Sequence, residues 1–187
     1  MTYKISVIGM GYVGCGNGLL LSKNYNVSIM DIDQKKVNDF NNKKLPISDP
    51  FAQNYFENED LNIHATCDLL HSIKGANFIL LCLPTNFDEK TGKYDTSVLE
   101  EVIGTIANKN TEAVIVIKST VNIGYTDSLQ NNLKTNKILF CPEFLREGHA
   151  LEDNFNPSRI IIGGLDDDAK LFGEVLSRSI NSDNTPL

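Results

Sequence analysis

The opening of the chain limits its fold more than any later segment. Tyr3-Lys4-Ile5-Ser6-Val7-Ile8 is a β-branched run that reads as a buried strand, and Gly9-Met10-Gly11-Tyr12-Val13-Gly14 follows without a break. A second strand-like run, Asn26-Val27-Ser28-Ile29-Met30, ends at Asp31, 20 positions beyond Gly11. Strand, glycine turn, helix and acid at this spacing form a dinucleotide fingerprint. Gly9 permits a tight turn, Gly11 lets backbone approach a pyrophosphate, and Gly14 allows close helix–strand packing. Tyr12 and Val13 lie in the same turn and join the candidate cofactor contacts. Asp31 would accept hydrogen bonds from a ribose and repel a 2′-phosphate, which favours NAD over NADP. Lys36 is either a solvated lysine or a ribose or phosphate contact at the adenosine end.

The rest of the text keeps alternating. Helix-like sequence runs from Asp33 to Phe40, and Asp49 reads as an N-cap before Pro50. Strands are expected at Asn62–Ala65, Asn77–Leu83 (stopped by Pro84), Ala113–Ile117, Lys137–Phe140 and Arg159–Ile162. Helices are expected at Thr96–Ala107, Thr126–Leu133 and Asp167–Leu176, with Thr85–Tyr94 as a loop. The central strands are apolar throughout, as in parallel sheets covered on both faces. The expected fold is therefore α/β, a doubly wound, mostly parallel Rossmann-type sheet with helices on both faces. Residues 1–180 form one domain in this reading, and the polar residues 181–187 begin a linker.

Composition excludes several classes. No apolar run approaches the roughly 18 residues of a membrane span, and no signal peptide is visible, so a cytoplasmic protein without membrane contact is expected. The net charge of −7, with no basic cluster, argues against nucleic acid. Cys15, Cys67, Cys82 and Cys141 are scattered without a CxxC, and His64, His71 and His149 stand alone. Buried reduced thiols are expected, and no metal site.

Polar residues gather where strands end: Pro84-Thr85-Asn86, Lys118-Ser119-Thr120 and Cys141 to Glu147. Ligands of open parallel sheets sit at these ends. Glu143 and Glu147 would share a face on a helix, or flank a ligand on a loop. Arg146 and Arg159 would meet a phosphate or pair with neighbouring acids.

With Pro142-Glu143-Phe144-Leu145-Arg146-Glu147-Gly148 and Asn156-Pro157-Ser158-Arg159-Ile160 added to these motifs, the chain resembles the nucleotide-sugar 6-dehydrogenases, the UDP-glucose/GDP-mannose dehydrogenase family, from Lys4 to its end. The resemblance implies a two-step NAD-dependent oxidation of a sugar C6 alcohol to a carboxylate, through a cysteine thiohemiacetal. It implies NAD contacts from Val13, Asp31, Lys36, Thr85, Thr120 and Glu147, beside Gly9, Gly11, Tyr12 and Gly14. Glu143, Phe144, Leu145, Arg146 and Glu147 would line the nucleotide-sugar site, with Thr120 and Glu147 as catalytic residues holding the water or hydroxyl used in proton transfer. The family's nucleophilic cysteine, lysine and asparagine belong to a middle region and second domain that these residues do not match. The chain then reads as the cofactor part of a larger, homodimeric enzyme, inactive alone. UDP-glucose, GDP-mannose and UDP-N-acetylmannosamine are the substrate options. A non-catalytic NAD-binding module is the alternative from another class.

Overall fold

A computed structural model describes residues 3–110, 112–135, 137–164 and 166–181. Among these residues eight strands occur: β1 Lys4–Ile8, β2 Asn26–Met30, β3 Ile63–Thr66, β4 Phe78–Leu81, β5 Phe87–Asp88, β6 Lys93–Tyr94, β7 Val114–Ile117 and β8 Ile138–Phe140. The helices are α1 Tyr12–Ser22, α2 Gln34–Asn41, α3 Pro50–Asn58, α4 Leu69–Ile73, α5 Ser97–Lys109, α6 Tyr125–Leu133, α7 Ala150–Phe155 and α8 Asp167–Ser177.

Six strands form one parallel sheet in the order β3-β2-β1-β4-β7-β8. Side chains alternate across it and feed two cores. Phe78 and Leu80 pack with Leu19, Phe40 and Phe172 on one face, whereas Ile79 and Leu81 pack with Ile103, Ile106 and Ile115 on the other. The doubly wound, helix-covered fold is the expected one. Strand order reverses between β1 and β4, so a crevice opens at their carboxyl ends.

Several local expectations change. Arg159–Ile162 is not a strand. Gly163 makes one antiparallel bridge to Phe140, donating its N–H over 2.7 Å, and Ile161 is exposed between the packed Ile160 and Ile162. The loop at Thr85–Tyr94 contains the β5–β6 hairpin, closed by a Phe87–Tyr94 ring contact at 5.2 Å. Helices α4 and α7 were not expected. Cys82 stands one residue beyond β4 rather than inside it, and it and Cys67 are only partly buried. All four thiols are free. Asp49 caps α3 as expected, accepting from Ala52 N at 2.9 Å. The linker expected at 181–187 lies, apart from Asn181, outside the described residues.

Candidate functional site

The glycine turn builds a cradle at the switch point. Gly9 has φ +106°, and a Cβ there would stand 2.4 Å from the Cys82 carbonyl oxygen. A Cβ on Gly14 would lie 1.8 Å from the Gly9 oxygen. Gly11 is different, because a Cβ there would meet nothing within 4 Å. It would project into the open space that a pyrophosphate needs. Gly11 is also the N-cap of α1 and offers no side-chain acceptor, so the first-turn amides of Tyr12, Val13 and Gly14 keep their donors and positive potential for an anion. These residues fit the phosphates of a dinucleotide.

Asp31 stands at the end of β2, with its side chain 12% exposed. Its Oδ2 accepts from Met10 N at 3.0 Å and its Oδ1 from Asp33 N at 3.0 Å. The carboxylate is thereby fixed against the glycine turn, and Oδ1, with one hydrogen bond, retains a lone pair for a ribose hydroxyl. Lys36 is not a free phosphate ligand: its Nζ lies 3.3 Å from Asp31 Oδ2. It sits beside Asp31, the candidate ribose contact.

Beyond the glycine turn, a cleft of about 330 Å³ is lined by Val13, Cys82, Thr85, Thr120, Glu143 and Leu145, among others. Thr85 Oγ1 donates to the Thr120 carbonyl at 2.6 Å, joining two of the three strand-end segments. Ser119 Oγ donates to the Leu83 and Leu81 carbonyls at 2.7 and 3.2 Å and is structural. Thr120 itself is exposed at the rim.

The third segment, 141–148, is irregular, so Glu143 and Glu147 do not share a helix face. Glu143 borders the cleft and also a second cavity of about 260 Å³, lined by Asn17, Lys118, Phe144, Arg146, Asn154 and Arg159 among others. Arg146 takes the acid-pairing option. Its guanidinium clasps Asp153 at 2.7 and 3.2 Å, while Asp153 also accepts from its backbone N–H at 2.8 Å. The Arg146 contact holds the Asp153 carboxyl below its ordinary range. Arg159 stacks over the Phe144 ring at 5.2 Å. Glu147 is exposed in a turn and borders neither cavity. No group of three metal-ligating side chains occurs among the described residues.

Two buried residues received no individual role in the sequence reading, Lys118 being named only within its strand-end segment. Lys118 Nζ lies 3.3 Å from Glu143 Oε2, and the Asn17 side-chain amide donates to the same oxygen. Lys118 left a trace, since a lysine ending an apolar strand needs a counter-charge. Asn17, one polar residue in a glycine- and leucine-rich helix, left almost none.

Comparison with known proteins identifies the family. Residues 3–181 match the model of the UDP-glucose/GDP-mannose dehydrogenase family, NAD binding domain. The UDP-glucose 6-dehydrogenase of Campylobacter jejuni is 39% identical over 186 residues, covering 98% of this chain and 47% of that protein. The enzyme of that name from Streptococcus pneumoniae is 37% identical over 190 residues, covering 98% and 48%. The chain thus spans about half the length of these curated relatives. Among solved structures, a UDP-glucose dehydrogenase from Pyrobaculum islandicum superposes with a TM-score of 0.85 at 22% identity, over 100% of this chain and 46% of that one. A GDP-mannose dehydrogenase from Pseudomonas aeruginosa gives 0.82 at 24% identity, over 97% and 45%. These two likenesses bear on fold alone. With the family model spanning nearly all of it, the chain belongs to the UDP-glucose/GDP-mannose dehydrogenase family, whose NAD-binding domain it represents.

Proposed function

We propose that this chain is the cofactor-binding half of an enzyme that oxidises the C6 hydroxyl of UDP-glucose to a carboxylate in two NAD-dependent steps. The observation that carries the reading is the cradle at the switch point: unclaimed α1 amides open at Gly11, with the Asp31 carboxylate fixed beside them. The relatives at 39% and 37% identity are named for UDP-glucose, which supports that sugar over GDP-mannose or UDP-N-acetylmannosamine.

When bound, NAD supplies the hydride acceptor. The α1 amides hold its phosphates, and Asp31 takes its adenosine ribose, with Lys36 balancing the carboxylate charge. Val13, Thr85 and Thr120 line the cleft beyond the cradle, where the rest of the cofactor fits. Glu143, at the border of that cleft and the second cavity, is assigned to the sugar together with the Phe144–Glu147 segment. Thr120 and Glu147 are assigned to the water or hydroxyl through which a proton leaves, following the family resemblance. The complete enzyme is read as a cytoplasmic homodimer whose nucleophile lies outside these residues. No helix among the described residues is long and apolar enough to cross a membrane.

The test is NADH formed per nucleotide sugar by the full-length enzyme. Two NADH per UDP-glucose supports the assignment. No NADH from UDP-glucose, with NAD still bound, removes that substrate and leaves the other nucleotide sugars or a binding module.

A further inference from the structure

We propose that Asn17 and Lys118 are positioning residues: they pin one oxygen of Glu143 and leave its other oxygen free to accept a hydrogen bond from a ligand hydroxyl. The inference rests on the function proposed above and adds two residues to its machinery.

Leu81, Ile117 and Phe140 lie in register on β4, β7 and β8, so the next residues, Cys82, Lys118 and Cys141, stand in a row at the strand ends. The Lys118 side chain is 3% exposed. A buried cation is tolerated only with a close counter-charge, and Glu143 Oε2 at 3.3 Å is the carboxylate within ion-pair reach of Lys118 among the described residues. The flanking thiols do not compete for that role. Burial pushes both the Cys82 and the Cys141 thiol up, so they remain neutral, and Cys141 Sγ only accepts a weak hydrogen bond from Lys118 Nζ at 3.4 Å. For Lys118, burial pulls the ammonium down, but the facing Glu143 carboxylate raises it, and the charged form prevails.

Asn17 approaches from the other side. It is 2% exposed, in the middle of α1, and its Nδ2 donates both to the Val13 carbonyl at 2.9 Å and to Glu143 Oε2. Both of its neighbours there are acceptors, which fixes which way the amide points. Two donors therefore converge on one carboxylate oxygen. Glu143 Oε1 has no hydrogen bond among the described residues, and the side chain, 16% exposed, borders both cavities. A carboxylate held this way loses little further freedom when a hydroxyl docks on Oε1. Through Val13, Asn17 also ties Glu143 to the first turn of the helix that forms the cofactor cradle. That amide thereby links the carboxylate to the cofactor cradle.

A double-mutant cycle in the full-length enzyme separates positioning from mere packing. Asn17→Leu should lower kcat about tenfold or more, with the KM for NAD within about twofold. In a Glu143→Gln background the same change should add less than about twofold. Asn17→Ser serves as the second variant if the leucine does not fold. An unchanged kcat, or equal losses in both backgrounds, overturns the proposal. A second arm needs no activity. In the 187-residue chain, proton exchange of the Asn17 side-chain amide should speed up about tenfold in Glu143→Gln, as a hydrogen bond to charge is weakened. Unchanged exchange overturns the pinning whatever the enzyme oxidises. Altered exchange with no turnover of any nucleotide sugar instead overturns the function and leaves the pinning standing.

Discussion

Gly11 and Gly14 stand three residues apart and are glycine for opposite reasons. At Gly14 a methyl group would fall 1.8 Å from a backbone oxygen, which no rotamer change can relieve. Gly14→Ala should cost about 3 kcal/mol or more of folding stability, the upper end of an overpacked core. Gly11 has φ −89° and ψ −169°, ordinary extended backbone for any residue, with open space beyond it. Gly11→Ala should leave the melting temperature within about 2 °C of the parent while weakening NAD binding about tenfold or more, because the methyl group occupies the phosphate cradle. Thermal melts and calorimetric titration of both variants test the pair, and equal stability losses would remove the distinction. The fingerprint made these roles legible from the sequence, since each glycine has a known task at a fixed offset. Glu143 was legible only as a strand-end acid. Its partners Asn17 and Lys118 lie 126 and 25 positions away, and only folding brings them together.

Among the elements, the sheet strands and longer helices follow from apolar runs and caps, and the errors fall where packing rather than pattern decides. Arg159–Ile162 has the composition of a buried strand, but the sheet edge beside it is the three-residue strand β8, and a single antiparallel bridge, Gly163 to Phe140, joins the two. Helix α7 has six residues, too few for a periodic stripe to show, and it holds through Ala150, Leu151 and Phe155 in the core. This helix also anchors the segment carrying Glu143, by way of the Arg146–Asp153 clasp. The Arg146 hydrogen bond lowers the Asp153 carboxyl below its unfolded value of about 3.9, so the unfolded chain binds the extra proton first. Its stabilisation is complete above roughly pH 5 and drains away as pH falls through about 3.9 toward the lower folded value. Asp153→Asn should therefore melt below the parent at neutral pH, and the two melting temperatures should converge on acidification. A gap that stays constant down to pH ~3 would show that the clasp does not titrate as described.

At the scale of the molecule, the proposed function makes cofactor binding separable from catalysis, because the residues assigned to NAD lie within one sheet and its first helices. The cradle depends on β1, β2 and β4, which feed both cores, and on α1, which packs into one of them. The 187-residue chain should therefore bind NAD by itself and produce no NADH with UDP-glucose, since the resemblance places the nucleophilic cysteine outside these residues. A ligand that binds only the folded state stabilises it by about 2.7 kcal/mol at a hundred times its dissociation constant. For a domain of this size that corresponds to a rise of about 5–10 °C in melting temperature. NADP at the same concentration should give less than about 2 °C, because a 2′-phosphate would meet the fixed Asp31 carboxylate. Asp31→Ser should narrow that difference. It removes the repelling charge and frees the Lys36 ammonium, now 3.3 Å from Asp31, to meet the added phosphate. Equal shifts with NAD and NADP in the parent chain would deny Asp31 its selecting role, and NADH formation by the parent chain alone would place the whole reaction within these residues.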